Sequence, residues 1–599
     1  MKRALQKIIA LLAAMILAVP AAAPAEAGEI RVVILATSDM HGNIWGYSYE
    51  NNEETTNNGM ARMYSYISKV REEEPLVFLI DGGDEIQGTI LTDDISSKTP
   101  EAPHPVMEAM NYMGYDAMTL GNHEFDWGVD AMLKITGQAA FPVLAENARG
   151  ADGKPVTGQG WTIIERGGVK LAVIGVVTPD VPIWDGQEEG VGAVTFEAAD
   201  AAVKRAVAEI GDKADLIMVS AHMGEYAEYD EDSGSDSAIR IAEENPEIDI
   251  LQVAHMHITV NDEHNAIPTA GVRNAGREIA RFDVTLDGNR RITDIQVSIV
   301  DMADYEPSAE IRDIPLVKET HEQAIQYISG GGDGDGDGGS AEPLGSTTAK
   351  FQPENEIRGL PEGRLRDTAV IDLILKVQLE NSGADVTSCS LFRETSDLPA
   401  GGITYKNIFD IYMYDNTLCR MTVTGRELKN YMEWAVECYN QWLPGDINIS
   451  FDPDCPGYLH DIFGGVEYEV DLSRPKGERI QNVMFRGAPL ADDETLTLAV
   501  NSYRYASFIK PLNLAAGKRD WESSRSVRDM IVDYFAEHSP VAPETDGNWR
   551  ITGVDLGTDD PRRAELIGWI NEGKLPVPYN QSYNLADYEK LAAEAAAGQ

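Results

Sequence analysis

The sequence predicts a two-domain α/β protein. Three observations carry that expectation. At 599 residues the chain exceeds what one hydrophobic core organises. Between 29 and about 300, six short apolar runs each end at a glycine or at a residue able to hold a metal. A Gly/Asp-rich stretch, SGGGDGDGDGGS at 329–340, then separates this region from a second patterned one beginning near Thr347.

At the N-terminus, Lys2, Arg3 and Lys7 precede an apolar run at 8–19, and Ala25, Glu26 and Ala27 supply a small-residue cleavage site. The run is short for a bilayer span, so residues 1–27 read as a cleaved signal peptide with Gly28 as the new terminus, the alternative being an uncleaved anchor. No cysteine follows the run, which argues against lipid modification, and no apolar tail closes the chain. The expected location is outside the cytoplasm: periplasm, cell surface or secreted, with no integral membrane association after cleavage.

The chain carries 49 basic against 99 acidic residues, a net charge of −50. Such a surface repels polyanions and excludes duplex nucleic acid as a partner. A small phosphate ester remains admissible, because two metal ions supply a local positive field.

Within 28–310, RVVILAT, PLVFLID, YDAMTLG, VKLAVIGVV, ADLIMVSAH and IDILQVAH read as buried strands, with helices at 59–73, 105–114 and 195–210. Residues 311–346 read as a connecting helix, Pro315–Ser329, and the Gly/Asp-rich linker. The alternating aspartates lack a closing acidic residue at calcium-loop spacing. Residues 347–556 form the second unit, and 557–599 a C-terminal extension of helices on the surface. The four cysteines, Cys389, Cys419, Cys438 and Cys455, show no CxxC spacing, so a structural zinc is not expected. Export permits disulfides, the pairing stays open, and Cys438–Cys455 is favoured.

Seven residues in five motifs carry the chemistry: Asp39 and His41 in TSDMHG, Asp84 in DGGD, Asn122 in GNHEFD, His222 in SAHMG, and His255 with His257 in AHMH. One HxH pair alone is more often two half-buried polar residues of a strand. Together the seven offer imidazole, carboxylate and amide donors for two divalent ions sharing Asp84. Such a pair, about 3.5–4 Å apart, serves in-line displacement at phosphorus. Asp39 and His41, like His255 and His257, are expected on one side of an extended strand end. The two glycines of DGGD allow the turn that brings Asp84 inward, with Asp81 bracing it. His123, oriented by Asp126, is expected as general acid at the leaving oxygen, or as a further ligand. His104 reads as packing or capping; His264 and His460 receive no role. The donor set suits zinc, manganese, iron or cobalt.

TSDMHG, DGGDEIQG, GNHEFDWG, SAHMG and AHMH resemble the motif series of the calcineurin-like metallophosphoesterases and, in detail, of the bacterial 5′-nucleotidase family. The resemblance implies a four-layer sandwich, two packed sheets flanked by helices, plus a second α/β nucleotidase C-terminal domain. It implies one metal among Asp39, His41, Asp84 and His257, another among Asp84, Asn122, His222 and His255, and His123 with Asp126 as the catalytic pair. Ala254 departs from the glycine common before the last HxH. In the second unit GADVTSCSLFR, LPAGGITYKNIFDIYMYDNTL, VTGRELKNYMEWA, FGGVEYEVDLSRP and LAVNSYRYASF resemble the family's C-terminal domain, which holds a nucleoside base between aromatic rings. Its finer features, with TPDVPIWD, resemble the 2′,3′-cyclic-nucleotide 2′-phosphodiesterase/3′-nucleotidase branch. By that likeness Tyr414 and Tyr503 form the base clamp, with Arg393 and Asn416 as polar contacts. The stretch YRYASFIKPLNLAAG at 503–517 lacks the family's paired glycines, which makes Tyr505 and Phe508 rival stacking residues.

The expectation is thus an exported, monomeric, metal-dependent phosphoesterase whose substrate is a small nucleotide, attacked at phosphorus by a hydroxide that two Lewis acids generate from water. The alternatives are a 5′-nucleotidase or nucleotide-sugar hydrolase, a thiosulfohydrolase of the same plan, and a surface binding protein with a decayed site. Intact ligands argue against the last.

Overall fold

Alternate residues of strand β1 (Ile30–Thr37) enter different cores in the computed structural model: Val32, Ile34 and Ala36 face one, Val33 and Leu35 another. Strand β2 (Val77–Asp81) does the same with Phe78 and Ile80 against Val77 and Leu79. Strands covered on both faces need apolar residues at every position, which is why they read as continuous runs. The structure describes residues 28–597 apart from 50–51, 186–187, 229–232, 330–342, 394, 415, 454 and 518. The expected signal peptide and nearly all of the Gly/Asp-rich linker lie outside the described residues.

The remaining strands of the first unit's two large sheets are β3 (Ala117–Thr119), β4 (Val143–Leu144), β5 (Trp161–Arg166), β6 (Val169–Val177), β7 (Leu216–His222), β8 (Ile250–Val253), β9 (Val260–His264), β10 (Ile267–Gly271), β11 (Glu278–Leu286) and β12 (Ile292–Asp301). They form two six-stranded sheets, ordered β12-β11-β1-β2-β3-β4 and β9-β10-β8-β7-β6-β5. In the first, β1 to β4 run parallel; in the second, β6, β7, β8 and β10 do. Ile34 and Phe78 of one sheet share a core with Leu171, Met218 and Ile250 of the other. Helices Met60–Glu73, Pro105–Met113 and Pro315–Ser329 cover the outer face of the first sheet, and Ala199–Ile210 with Ala238–Glu244 that of the second. This is the expected four-layer sandwich.

Two expectations change. The helix Pro315–Ser329 is more than a connector: Val317, Ala324 and Ile328 enter the first unit's core, because its apolar positions recur on one face. The helix expected over 195–210 begins at Ala199, since Thr195 and Phe196 pair with Arg149 and Ala148 as a short strand.

The second unit is built on a five-stranded sheet, ordered Asp461–Gly464, Val386–Ser390, Thr495–Asn501, Leu418–Thr424 and Arg519–Glu522. A four-stranded sheet containing Glu467–Asp471 and Trp549–Thr552 adjoins it. Thr424 starts the helix Gly425–Ala435 with a capping box, its amide donating to the Glu427 carboxylate at 2.7 Å. Cys438 and Cys455 form a disulfide, while Cys389 and Cys419 are buried and free. The C-terminal helices Pro561–Asn571 and Tyr588–Ala597 pack on the second unit with one face exposed and the other buried. Leu566, Ile570, Leu591 and Ala595 belong to the second unit's core, and buried Arg563 holds Glu356 at 2.7 Å. Among the described residues no helix is long and apolar enough to cross a membrane.

Candidate metal centre

Loops at the C-terminal edges of β1, β2, β3, β7 and β8 bring the seven expected ligands together, as parallel sheets gather function there. Donor atoms of Asp39, His41, Asp84 and His257 lie within 4.8 Å of one another, as do those of Asp84, His222 and His255. Asn122 joins the second group, its Oδ1 3.2 Å from His222 Nε2. Asp84 is common to both.

The backbone route differs from the extended one expected. Strand β1 stops at Thr37 and β8 at Val253. Beyond them Asp39 (φ 55), His41 (φ 48), His255 (φ 70) and His257 (φ 55) adopt the left-handed region, and so does Asp84 (φ 62). Each such non-glycine residue costs about 1–3 kcal/mol and persists where its surroundings over-determine it. Here the loops template one another. Asp39 N donates to Gly83 O at 2.8 Å, His41 N to Asp84 O at 2.9 Å, and His255 N to Asp39 Oδ1 at 3.1 Å. Ala254 lies outside the left-handed region, so its methyl costs no strain.

DGGD turns as its glycines suggest. A Cβ on Gly83 (φ +97) would stand 2.3 Å from Gly121 N. Asp81 braces the turn, accepting from Gly83 N at 2.8 Å and from Thr37 Oγ1 at 2.7 Å.

The donor set fits divalent ions. His41 Nε2 and His257 Nε2 face each other at 3.0 Å, and His257 Nε2 is 3.4 Å from Asp39 Oδ1. Asp84 Oδ2 is buried with His222 Nε2 3.1 Å away, so both converge on a common point. His41 Nδ1 and His222 Nδ1 bond the carbonyls of Gln87 at 3.0 Å and Gly82 at 2.7 Å, which turns each Nε2 lone pair inward. Burial, with His257 adding to it, lowers His41 to about 4. Burial opposes charge on His222 too, but the adjacent Asp84 carboxylate reverses this and raises it to about 9. The carboxylates therefore draw positive charge into the centre.

His123 Nδ1 lies 3.0 Å from Asp126 Oδ2, and His123 N donates to Asp84 Oδ1 at 2.9 Å. The ring therefore stands beside the centre with its partner in place. His104 packs without capping: it holds the N-cap position of Pro105–Met113 but bonds Ser97 Oγ at 3.1 Å. His264 pairs with Glu225 at 2.6 Å, and buried His460 packs edge-on against Tyr439.

Sequence reasoning missed three participants. Buried Glu124 accepts the amides of Gly121 at 2.6 Å, Asp84 at 2.9 Å and Glu85 at 2.7 Å, clamping the GNHEFD and DGGD loops together. Its place inside a motif, next to His123, was the available signal. Glu228, 3.0 Å from His255 Nε2, and Arg519, which pairs with Glu228 from the second unit, carried none.

The structure does not bring the four nominated substrate residues to the metal centre. A cleft of about 610 Å³ opens over His41, His123, His255 and His257, and Thr417, Ser502, Arg519, Glu522 and Arg528 form its far wall. Tyr414, Tyr503, Arg393 and Asn416 are not in its lining. Tyr414 and Tyr503 are exposed elsewhere on the second unit, 39% and 45%, with Phe392 against the first and Tyr458 and Phe508 against the second. Arg393 is tied to Asp410 at 3.0 Å, and the main chain of Asn416 accepts from Val527 N at 3.0 Å. Of the rival rings, Phe508 packs 5.8 Å from Tyr503, whereas Tyr505 lies under the Arg519 guanidinium at 5.1 Å.

Comparison with known proteins agrees with this geometry. Residues 32–259 match the calcineurin-like phosphoesterase family and 344–508 the 5′-nucleotidase C-terminal domain. The chain is similar to the trifunctional nucleotide phosphoesterase protein YfkN of Bacillus subtilis, at 28% identity over 90% of this chain. It spans 40% of that protein's length. A 2′,3′-cyclic-nucleotide 2′-phosphodiesterase/3′-nucleotidase of Salmonella typhimurium is 25% identical, covering 91% of this chain and 92% of that one. The Haemophilus influenzae NAD nucleotidase shares the fold, with a TM-score of 0.62 at 15% identity over 88% of this chain and 100% of that one.

Proposed function

We propose that this chain, which belongs to the calcineurin-like phosphoesterases carrying a 5′-nucleotidase C-terminal domain and is a metal-dependent phosphoester hydrolase, acts on nucleotides. The preferred substrates are 2′,3′-cyclic and 3′-nucleotides. The observation that carries the reading is Asp84 set between two donor groups, with the His123–Asp126 pair beside it, under a cleft whose far wall is the second unit. The similarity to nucleotide phosphoesterases over nine-tenths of the chain supports the substrate class.

Asp39, His41, Asp84 and His257 would hold one divalent ion, and Asp84, Asn122, His222 and His255 the other. When bound, such ions supply Lewis acidity to the phosphate and to water. His123, its Nδ1 bonded to Asp126, turns Nε2 to the cleft and gives a proton to the departing ribose oxygen. Tyr414 and Tyr503, outside the cleft in this arrangement, stack on the base once the second unit turns them over the metal centre, a contact worth about 1–3 kcal/mol. Residues 1–27 direct export, which N-terminal sequencing of the mature protein and cell fractionation test.

The decisive experiment is a substrate profile of the full chain loaded in turn with zinc, manganese, iron and cobalt. It compares 5′-, 3′- and 2′,3′-cyclic nucleotides with a base-free aryl phosphate. The highest kcat/KM is expected on the cyclic and 3′-nucleotides. Preference for 5′-nucleotides replaces the branch assignment, and no turnover of any nucleotide overturns the proposal.

A further inference from the structure

Three histidines of the metal centre have a ring nitrogen anchored outside the ligand cluster, and they are not anchored alike. His41 and His222 use Nδ1 and bond main-chain carbonyls, of Gln87 and Gly82. His255 uses Nε2 and bonds a side chain, Glu228 Oε2, at 3.0 Å. The other carboxylate oxygen of Glu228 accepts from Arg519 Nη2, 291 positions away in the second unit. Arg519 in turn pairs with Glu522, whose Oε1 takes the hydroxyl hydrogen of Thr417. The chain is largely shielded: side-chain exposure is 14% at His255, 24% at Glu228 and 10% at Arg519.

We propose that Glu228 is a positioning residue for the metal ligand His255, and that Arg519 makes this positioning depend on the second unit. This rests on the ligand assignment proposed above. An imidazole that donates one N–H to a carboxylate is fixed in tautomer and ring plane, and its other nitrogen becomes a better donor to a metal. With Nε2–H given to Glu228, the coordinating atom of His255 is Nδ1, the reverse of His41 and His222. A main-chain carbonyl holds its histidine whatever the second unit does. Glu228 holds His255 in this orientation only while Arg519 occupies its other oxygen. Seating of the second unit therefore raises the affinity of the Asp84–His222–His255 group for its ion and leaves the Asp39–His41–His257 group unaffected.

The test is metal titration of the full chain by calorimetry and by competition with a chelator, alongside turnover of an aryl phosphate. Glu228→Gln, which keeps the shape but not the charge, should weaken one of two ions by about 10- to 100-fold and leave the other unchanged. Excess metal should restore its kcat. Glu228→Asp, too short to reach both partners, should behave alike. Arg519→Ala should weaken the same ion by about 3- to 5-fold, with Arg519→Lys recovering most of the loss. In a Glu228→Gln background Arg519→Ala should add nothing, since the path runs through the carboxylate. Wild-type affinity in both Glu228 variants, or additive losses in the double variant, overturns the relay. His255→Ala separates the two layers. If it loses no ion, the ligand assignment falls and the relay with it; if it loses one while both Glu228 variants bind normally, the relay alone falls.

Discussion

Gly121→Ala is the smallest change that should disable the centre. Gly121 has no left-handed φ, so alanine meets no backbone strain there. Its Cβ would instead stand 2.1 Å from Asp84 Oδ1, 2.6 Å from Asp84 N and 2.8 Å from Asp84 Cγ. Ordinary contact begins near 3.4 Å, so the carboxylate must retreat by about 1.3 Å. Asp84 cannot rotate away freely, because its amide is held by Glu124 at 2.9 Å and Oδ1 accepts from His123 N. Overpacking of this kind costs about 1–3 kcal/mol, within a domain stability of about 5–15 kcal/mol, so the protein stays folded. A displacement of about 1 Å at a reacting centre costs on the order of 100-fold in rate. The expected result is native circular dichroism, weakened binding of both ions, and kcat on an aryl phosphate reduced by about 100-fold. Loss of one ion with the other intact would refute Asp84 as the shared ligand. Wild-type kcat and metal stoichiometry would refute the placement of the centre altogether.

His123→Ala should lower kcat on nucleotides by about 10²–10⁴ with metal content unchanged, and less on p-nitrophenyl phosphate, whose leaving group needs no proton; equal losses on the two would remove its role as acid. Tyr414→Ala combined with Tyr503→Ala should lower kcat/KM for nucleotides by about five- to 150-fold and leave a base-free aryl phosphate almost untouched. Equal losses would remove the clamp. Reduction of Cys438–Cys455, which closes a separation of 17 residues, should cost the second unit about 3 kcal/mol in denaturant unfolding without altering metal binding. Gly568→Ala, in the helix Pro561–Asn571 with nothing within 4 Å of the added methyl, should raise stability by about 0.5–1 kcal/mol and leave turnover unchanged.

The first unit's layering was legible because strands covered on both faces leave an unbroken apolar run, as at VVILA in β1 and VFLI in β2. The helix Pro315–Ser329 was also legible as a helix, but not as part of the first unit's core. Amphipathic spacing says that a face is buried, not against what. The same limit holds for Pro561–Asn571, whose pattern marks a helix but not that Leu566 and Ile570 complete the second unit's core. The left-handed backbone at Asp39, His41, Asp84, His255 and His257 was hidden, since aspartate and histidine do not announce a positive φ as glycine does. Without a positive φ, residues two apart such as Asp39 and His41 fall on one face of an extended strand.

The sequence by itself determined the donor chemistry. A metal site depends on residue type, and the imidazoles, carboxylates and amide had to be written into TSDMHG, DGGD, GNHEFD, SAHMG and AHMH whatever the fold. Tertiary structure alone decided the rest. It set Asp84 between two groups and clamped the loops through Glu124. It placed Arg519 against Glu228 and left Tyr414 and Tyr503 outside the cleft. These contacts join residues up to 291 positions apart, and their partners are chosen by how sheets and units pack, which no local pattern encodes.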